Sequence, residues 1–290
     1  MRAKSTPKVS VLTPIYNTNP QYLRECIESI LNQTFTDFEF IILNDSPDNK
    51  EIEKVVKSYK DQRIKYHKNE KNIGISASRN KLLDLAQGEY IAIFDHDDIS
   101  LPTRLEKEVK YLDENPEIGA VSALMQKFQC KKDGIVDYRP EFDYEIKCAL
   151  TDNCYFTHTA AMLRKSILDE NNIRYEGFFS PCEDYQLWNR LMDITHFYNI
   201  QEVLVRYRAF DGNTSHIQKD KMDRYHDAIS LDIQNRYPAY HKAWIKMLSP
   251  KHYLKTRFRI RLFGFIPLLK IKKDWILLFE FIPVLKLKRH

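Results

Sequence analysis

Short apolar segments alternate with amphipathic segments through the first hundred residues of the chain. The apolar segments predict strands at residues 9–13, 38–43 and 90–94, with a weaker strand at 63–67. The segments between them predict helices at about residues 20–32 and 48–59 and within 72–87. Strands without polar interruption are typical of a parallel sheet that is covered on both faces, so the pattern predicts an α/β fold.

After residue 101 strands and helices alternate less regularly. Helices are predicted at residues 102–115, 164–171 and 182–192 and from 217 to about 248. Strands are predicted at 118–125, 157–163 and 203–210, with a hairpin around Gly134. This half of the chain is expected to cover one side of a cleft at the edge of the sheet.

Three carboxylates follow the strand at residues 90–94 almost without a gap. Asp95, Asp97 and Asp98 repel one another, so a cation is needed to offset them. Asp95 and Asp97 lie two residues apart and can face one point, which favours a hard divalent cation completed by phosphate oxygens. The structural alternative is an acidic turn that caps the next helix.

Polar side chains also follow the other predicted strands, at the edge of the sheet where ligands bind. Thr13 and Tyr16 follow the first strand, Asp45 follows the second, and Arg79 begins the helix after the third. Singly, each has a structural explanation as a packing aromatic, a helix cap or a surface cation. Together with the acidic cluster they offer what a nucleoside diphosphate needs: an aromatic face, hydrogen-bond acceptors, a cation and a metal site.

Four motifs in this order resemble glycosyltransferase family 2, which has the GT-A fold. They are Val-Ser-Val-Leu-Thr-Pro-Ile-Tyr-Asn at residues 9–17, Ile-Ile-Leu-Asn-Asp-Ser at 41–46, Asn-Ile-Gly-Ile-Ser-Ala-Ser-Arg-Asn at 72–80, and Ile-Phe-Asp-His-Asp-Asp at 93–98. The resemblance spans about residues 9–216. It implies a nucleotide-sugar site formed by Thr13, Pro14, Tyr16, Asp45, Asn72, Arg79, Asp95 and His96. It also implies that Asp95 and Asp97 form the Asp-x-Asp pair at the ribose and a Mn²⁺ or Mg²⁺ ion.

Glu183 and Asp184 lie in the first turn of the amphipathic helix predicted at residues 182–192, where the helix dipole favours negative charge. On the residues alone they are explained as caps. The resemblance instead implies the catalytic Glu-Asp signature of the family, with Asp184 as the general base. The remaining predicted site residues are His216 as a third metal ligand, Arg208 as a phosphate contact, and His158 and Trp188 as acceptor contacts.

Charge and repetition set the C-terminal segment apart. The net charge of the whole chain is +5, yet residues 251–290 alone carry eleven basic and two acidic residues. Residues 262–273 recur as 278–289 with eight of twelve positions identical. Such a tail fits docking on the anionic inner leaflet of a membrane, where each basic residue contributes about 1 kcal/mol. The alternative is a hairpin that covers the domain or pairs two subunits as a homodimer.

Composition excludes several other classes of protein. No apolar run approaches the length of a membrane span, and no apolar segment follows the basic N-terminus, so no signal peptide is expected. The five cysteines have no paired spacing and predict reduced thiols in the cytoplasm. No nucleic-acid partner is needed to explain the basic tail.

The sequence thus predicts a GT-A (Rossmann-like) α/β fold: a mixed, mainly parallel sheet flanked by helices, with a C-terminal extension. The expected domains are a catalytic domain at 1–216, with a nucleotide half at 8–100 and an acceptor half at 101–216, then a helical extension at 217–260 and the repeat tail at 261–290. The expected activity is metal-dependent, inverting transfer of a hexose or N-acetylhexosamine. Its donor is a UDP-sugar and its acceptor a saccharide of lipopolysaccharide, lipooligosaccharide or capsule, on the inner face of the cytoplasmic membrane. The alternatives are a non-catalytic saccharide-binding or membrane scaffold and a nucleotidyltransferase; the latter would need a glycine-rich phosphate loop, and residues 12–17 contain no glycine.

Overall fold

The computed structural model describes residues 6–129, 134–210, 212–213 and 217–248. The chain divides into two compact units, Met1–Trp244 and Ile245–His290. The boundary predicted after residue 216 lies inside the first unit. His216, the tail at 261–290 and the end of the helical extension lie outside the described residues.

Eight strands of the described residues form one mixed sheet in the order β3-β2-β1-β4-β7-β6-β8-β5. Their bounds are β1 Val9–Ile15, β2 Phe38–Asn44, β3 Ile64–Lys68, β4 Tyr90–Ile93, β5 Ile99–Ser100, β6 Ile118–Phe128, β7 Met162–Arg164 and β8 His196–Arg208. Strands β3, β2, β1 and β4 run parallel, and so do β6 and β8. Strand β7 pairs antiparallel with both β4 and β6 and joins the two parallel groups. The predicted α/β fold with a mixed, mainly parallel sheet is confirmed.

Helices cover both faces of the sheet. Their bounds are α1 Pro20–Leu31, α2 Lys50–Ser58, α3 Ile75–Leu85, α4 Arg104–Glu114, α5 Asp143–Leu150, α6 Lys165–Glu170, α7 Glu183–Leu191, α8 Lys219–Arg236 and α9 Pro238–Leu248. Helices α1, α2 and α4 share one apolar core with the sheet, whereas α3 and α5–α8 share the other. Successive residues of a strand point to opposite faces, so Val11 enters the first core and Leu12 the second.

Short-range signals explain where several helices begin. The side chain of Asn19 accepts a hydrogen bond from the backbone N–H of Gln21 at 2.8 Å, which caps α1 ahead of Pro20. Asn49 caps α2 in the same way. Gly74 precedes α3 with φ +84°, a conformation that favours glycine, so the chain turns sharply into the helix that carries Arg79.

The structure differs from the predicted elements mainly after residue 130. The strand predicted at 157–163 is wrong: His158–Ala160 form a 3₁₀ turn, and only Met162–Arg164 pair with the sheet. Strand β8 begins at His196, seven residues before its prediction, and α5 was not predicted. Among the described residues, no helix is both long and apolar enough to span a bilayer.

Candidate active site

Arg79 connects two acidic groups that are far apart in sequence. Its guanidinium donates hydrogen bonds to the Asp95 carboxylate, at 3.1 Å, and to the Glu183 carboxylate. The same guanidinium lies 5.6 Å from the ring centre of Tyr175. Glu183 is buried and Asp95 half-buried, so this is a mostly desolvated ion-pair network. It brings the acidic loop after β4 and the start of α7 to one place.

The acidic loop after β4 carries more negative charge than its protein partners balance. Burial opposes ionisation of Asp95, yet Arg79 holds the pKa of that carboxyl below its ordinary value. Burial and the Asp95 charge raise the pKa of Asp97. Asp98 is fully buried, and burial with its two acidic neighbours raises its pKa well above the ordinary value. A cation near this loop would oppose the rise in the pKa values of Asp97 and Asp98.

Asp95 and Asp97 fit a divalent cation, although not by themselves. Within the described ranges, no three His, Cys, Asp or Glu side chains are grouped so that they could hold a metal alone. Mg²⁺ and similar ions commonly bind through one or two carboxylates plus substrate phosphates. The Asp97 carboxyl has a raised pKa, and Nδ1 of the His96 ring lies 3.9 Å from its Oδ1. A cation would relieve this imbalance.

Asp184 follows Glu183 in the first turn of α7. Burial, with the Glu183 charge, raises the pKa of the Asp184 carboxyl to about 6, and Arg79 limits that rise. The group is mainly ionised at neutral pH and is more basic than an ordinary aspartate. A carboxylate of this kind can accept a proton from a hydroxyl group.

A narrow cleft adjoins Arg79. Pro14 and Tyr175 line it, together with Arg79 and apolar side chains of β1, β4 and α3. Tyr16, at the end of β1, leaves 54% of its surface exposed, and Asn72 is exposed ahead of α3. These side chains are free to contact a ligand.

Comparison with known proteins identifies the fold and the family. The family model described as glycosyl transferase family 2 matches residues 10–171. The chain belongs to glycosyltransferase family 2. It is 38% identical over 227 residues to an uncharacterised glycosyltransferase of Methanocaldococcus jannaschii, covering 76% of this chain and 78% of the relative. It is 32% identical over 233 residues to the O-antigen biosynthesis glycosyltransferase WbnJ of Escherichia coli, covering 78% and 87%.

Solved structures share the fold of this family 2 glycosyltransferase at low sequence identity. TarS of S. aureus in complex with UDP-GlcNAc superposes with TM-score 0.65 at 20% identity, covering 79% of this chain and 67% of TarS. The mannosyltransferase PcManGT of Pyrobaculum calidifontis, in complex with GDP-Man and Mn²⁺, superposes with TM-score 0.62 at 17% identity, covering 91% and 77%. These likenesses establish the GT-A architecture of the glycosyltransferase.

Two residues predicted at the nucleotide are occupied within the protein. Thr13 is fully buried, and its hydroxyl donates to the carbonyl of Phe94 at 2.9 Å, which ties β1 to the end of β4. Asp45 is 3% exposed, and its carboxylate accepts the backbone N–H groups of Ile73 and Gly74, both at 2.9 Å. Both side chains hold the loops of the glycosyltransferase, and their contact with the nucleotide stays a prediction.

Two residues predicted at the acceptor lie inside the protein. Trp188 is fully buried, and its ring packs edge-on against Phe156, 4.9 Å between centres. His158 is buried with its Nε2 2.9 Å from the Tyr175 hydroxyl. Burial and Arg79 lower the pKa of His158 to about 3, so it stays neutral. The helical face that carries Trp188 faces the core, which corrects its assignment to the acceptor.

Arg208 is likewise a structural residue of the glycosyltransferase and is not free to meet phosphate. It is fully buried, and its Nε donates to the Asp97 carbonyl at 2.7 Å. Its guanidinium also pairs with Glu25, and its backbone N–H donates to Asp98 at 2.9 Å. Arg208 thus fixes the acidic loop after β4 through hydrogen bonds to Asp97 and Asp98.

Tyr175 is a site residue that sequence reasoning missed. It lies under Arg79, lines the cleft and contacts His158. Its neighbours in sequence form no motif. Only the hydrogen bonds between its backbone and the Asn80 side chain, at 2.8 and 2.9 Å, place it beside α3. A contact between residues so distant in sequence leaves no periodic signal.

Proposed function

We propose that this family 2 enzyme is a metal-dependent, inverting glycosyltransferase. It transfers a hexose or an N-acetylhexosamine from a UDP-sugar to a saccharide acceptor. One observation carries the proposal: a single guanidinium, that of Arg79, holds Asp95 of the acidic loop and Glu183 of α7 together. Side chains that can bind a diphosphate are thereby adjacent to a carboxylate that can accept a proton.

The donor side uses residues 8–100. Tyr16 offers its exposed ring to the base, Asn72 contacts the nucleotide sugar, and Arg79 provides positive charge near the phosphates. Asp95 and Asp97 would hold a Mn²⁺ or Mg²⁺ ion. A bound cation of this kind neutralises charge on a departing diphosphate, which lowers the barrier by several kcal/mol.

The acceptor side uses residues 101–216. The Asp184 carboxylate takes the proton of an acceptor hydroxyl as that oxygen forms a bond to the anomeric carbon. The bond from that carbon to the diphosphate oxygen breaks, and the electron pair leaves with UDP. Because the acceptor oxygen and the leaving group lie on opposite faces of the sugar, the anomeric configuration inverts.

Relatives support the donor and acceptor classes. TarS, which shares the fold, was solved with UDP-GlcNAc, and WbnJ is named for O-antigen biosynthesis. A saccharide of lipopolysaccharide, lipooligosaccharide or capsule is therefore proposed as the acceptor. With its basic tail, the enzyme would work in the cytoplasm on the inner face of the membrane.

A donor screen tests the proposal. Nucleotide release is measured with UDP-glucose, UDP-galactose, their N-acetyl forms and GDP-mannose, with Mn²⁺, Mg²⁺ or EDTA. We expect release from a UDP-sugar that EDTA abolishes and Mn²⁺ restores. NMR of the transferred sugar should show inverted anomeric configuration.

Matched variants sharpen the screen. Asp97→Asn should weaken the response to Mn²⁺. Asp37→Asn, an exposed change at the opposite edge of the sheet, should leave it unchanged. Release from GDP-mannose alone would refute the donor assignment. No release from any donor would favour a non-catalytic scaffold.

A further inference from the structure

One exposed and two half-buried aromatic side chains lie together beside the first turn of α7. Phe178 leaves 73% of its surface exposed, the largest fraction among the exposed large apolar side chains of the described residues. Its ring centre lies 5.2 Å from that of Phe179 and 5.6 Å from that of Tyr225 on α8. We call Phe178, Phe179 and Tyr225 the aromatic patch. Isolated exposed apolar residues are ordinary, but clustered ones mark binding sites.

The turn that carries Phe178 is built into the candidate active site. Residues Gly177–Phe179 form a 3₁₀ turn between Tyr175, which lines the cleft, and Glu183. The carbonyl of Phe179 accepts the N–H of Cys182, the residue that precedes α7, at 2.6 Å. A Cβ added to Gly177 would lie 3.9 Å from Ser76 Cβ, so the turn also touches the first turn of α3.

Helix α8, which carries Tyr225, packs against the first turn of α7. The Cys182 thiol lies 3.3 Å from the carbonyl of Met222, and the Tyr185 ring lies 5.2 Å from the His226 ring. Asp184 lies between Cys182 and Tyr185 in sequence, and Tyr225 lies between Met222 and His226. Cys182 and Tyr185, which bracket Asp184 in sequence, thus contact Met222 and His226, which bracket Tyr225, so the aromatic patch lies beside the first turn of α7.

The surroundings of the patch favour a sugar over a membrane. The exposed charged residues of α8 nearest to Tyr225 in sequence are Asp223, Arg224 and Asp227, which have both signs of charge. An anionic bilayer attracts cations alone. Sugar hydroxyls, in contrast, donate to carboxylates and accept from cations. The apolar C–H face of a pyranose ring can cover an exposed aromatic ring, as ligand sites combine apolar faces with a few polar groups.

We propose that the aromatic patch is the acceptor subsite, where Phe178 and Tyr225 pack against the pyranose ring whose hydroxyl Asp184 deprotonates. This inference rests on the proposed function. It assigns acceptor recognition to the turn before α7 and to α8, outside the motifs of the donor side. Loss of the Phe178 ring should weaken acceptor binding and leave donor chemistry unchanged.

The test separates acceptor binding from donor chemistry. Octyl β-glycosides of glucose, galactose and N-acetylglucosamine serve as acceptor probes, and UDP release is followed with and without them. Phe178→Ala should raise the acceptor KM about tenfold, equivalent to about 1.4 kcal/mol. UDP release without acceptor should not change. Phe178→Tyr, which keeps a ring, should stay within about twofold of the parent.

A matched control removes an aromatic ring of similar exposure elsewhere. Tyr144→Ala on α5, where Tyr144 is 52% exposed, should leave the acceptor KM unchanged. An equal acceptor KM in Phe178→Ala and the parent would overturn the subsite, as would equal loss of acceptor-free UDP release. Failure of every glycoside to accept sugar, in an enzyme that hydrolyses its donor, would overturn it too.

Two further outcomes distinguish the acceptor subsite from a membrane contact and from failure of the proposed function. If Phe178→Ala weakened binding to phosphatidylglycerol vesicles while the KM for glycosides stayed constant, the patch would be a membrane contact and the subsite would be refuted. An enzyme that releases no UDP from any donor would refute the proposed function, and the subsite with it.

Discussion

Replacing the proposed base by its amide should stabilise the folded protein at neutral pH while abolishing transfer. The folded protein raises the pKa of the Asp184 carboxyl to about 6, whereas an aspartate in an unfolded chain has a pKa of about 3.9. The folded state therefore binds this proton more tightly than the unfolded state does. Its free energy of unfolding falls as the pH rises from about 4 to about 6, and the loss persists above that range.

The size of the effect follows from the difference between these two pKa values. About two pKa units correspond to about 3 kcal/mol. Asp184→Asn carries no charge at any pH, and its side-chain oxygen can still accept the N–H of Tyr185, now 2.7 Å from Oδ1. We expect the variant to be about 3 kcal/mol more stable than the parent above pH 7 and equally stable near pH 4.

Urea unfolding at both pH values measures this difference, and UDP release measures activity. The exposed change Asp37→Asn serves as the control and should alter stability by less than about 0.5 kcal/mol at either pH. A stability difference that is the same at both pH values would refute the argument from the pKa. Near-full activity of Asp184→Asn would refute the assignment of the base.

Three other variants test the corrected roles and the packing. Arg208→Met should lower the free energy of unfolding by about 3–5 kcal/mol, because it leaves Glu25 and the Asp97 carbonyl unpaired; it should also weaken Mn²⁺ binding, measured by electron paramagnetic resonance. Trp188→Ala should cost about 3–5 kcal/mol by urea unfolding, with the acceptor KM unchanged. Gly88→Ala places a Cβ 2.5 Å from the Ser10 backbone nitrogen and should cost about 3 kcal/mol.

Each of these expectations can be contradicted. Undiminished stability of Arg208→Met would show that the acidic loop does not depend on the buried guanidinium. A raised acceptor KM in Trp188→Ala with normal stability would restore Trp188 to the acceptor site. Gly88→Ala with parental stability would mean that β1 can move away from residue 88.

The parallel half of the sheet was accessible from the sequence because its strands are uninterrupted apolar runs. The strand at residues 157–163 was predicted wrongly because the segment is apolar and β-branched at its start. In the structure the Thr159 hydroxyl accepts a hydrogen bond from the backbone N–H of Asp95 at 3.2 Å, and the backbone forms a turn at this residue. Apolar character alone does not distinguish a strand from a buried turn.

The sequence predicts the donor side as a region, and it does not show which of the predicted residues are exposed. A strand covered on both faces gives no sign of which polar residue points to the ligand, so Thr13 and Asp45 looked equivalent to Tyr16. The structure separates them: the first two satisfy buried backbone groups, and Tyr16 is exposed. The contact of Arg79 with Glu183 spans 104 positions in the sequence and leaves no local pattern.

The two ion pairs of the Arg79 guanidinium limit which chimeras of such enzymes can be built. In the sheet of the described residues, the short strand β7 joins the two parallel groups of strands, and Arg79 on α3 pairs with Glu183 on α7. A chimera that took its C-terminal half from another member of the family would need a carboxylate at position 183. Without it, a buried cation would lose one of its two counterions. Exchange of acceptor specificity by grafting is therefore expected to succeed only when the grafted half keeps a carboxylate at this position.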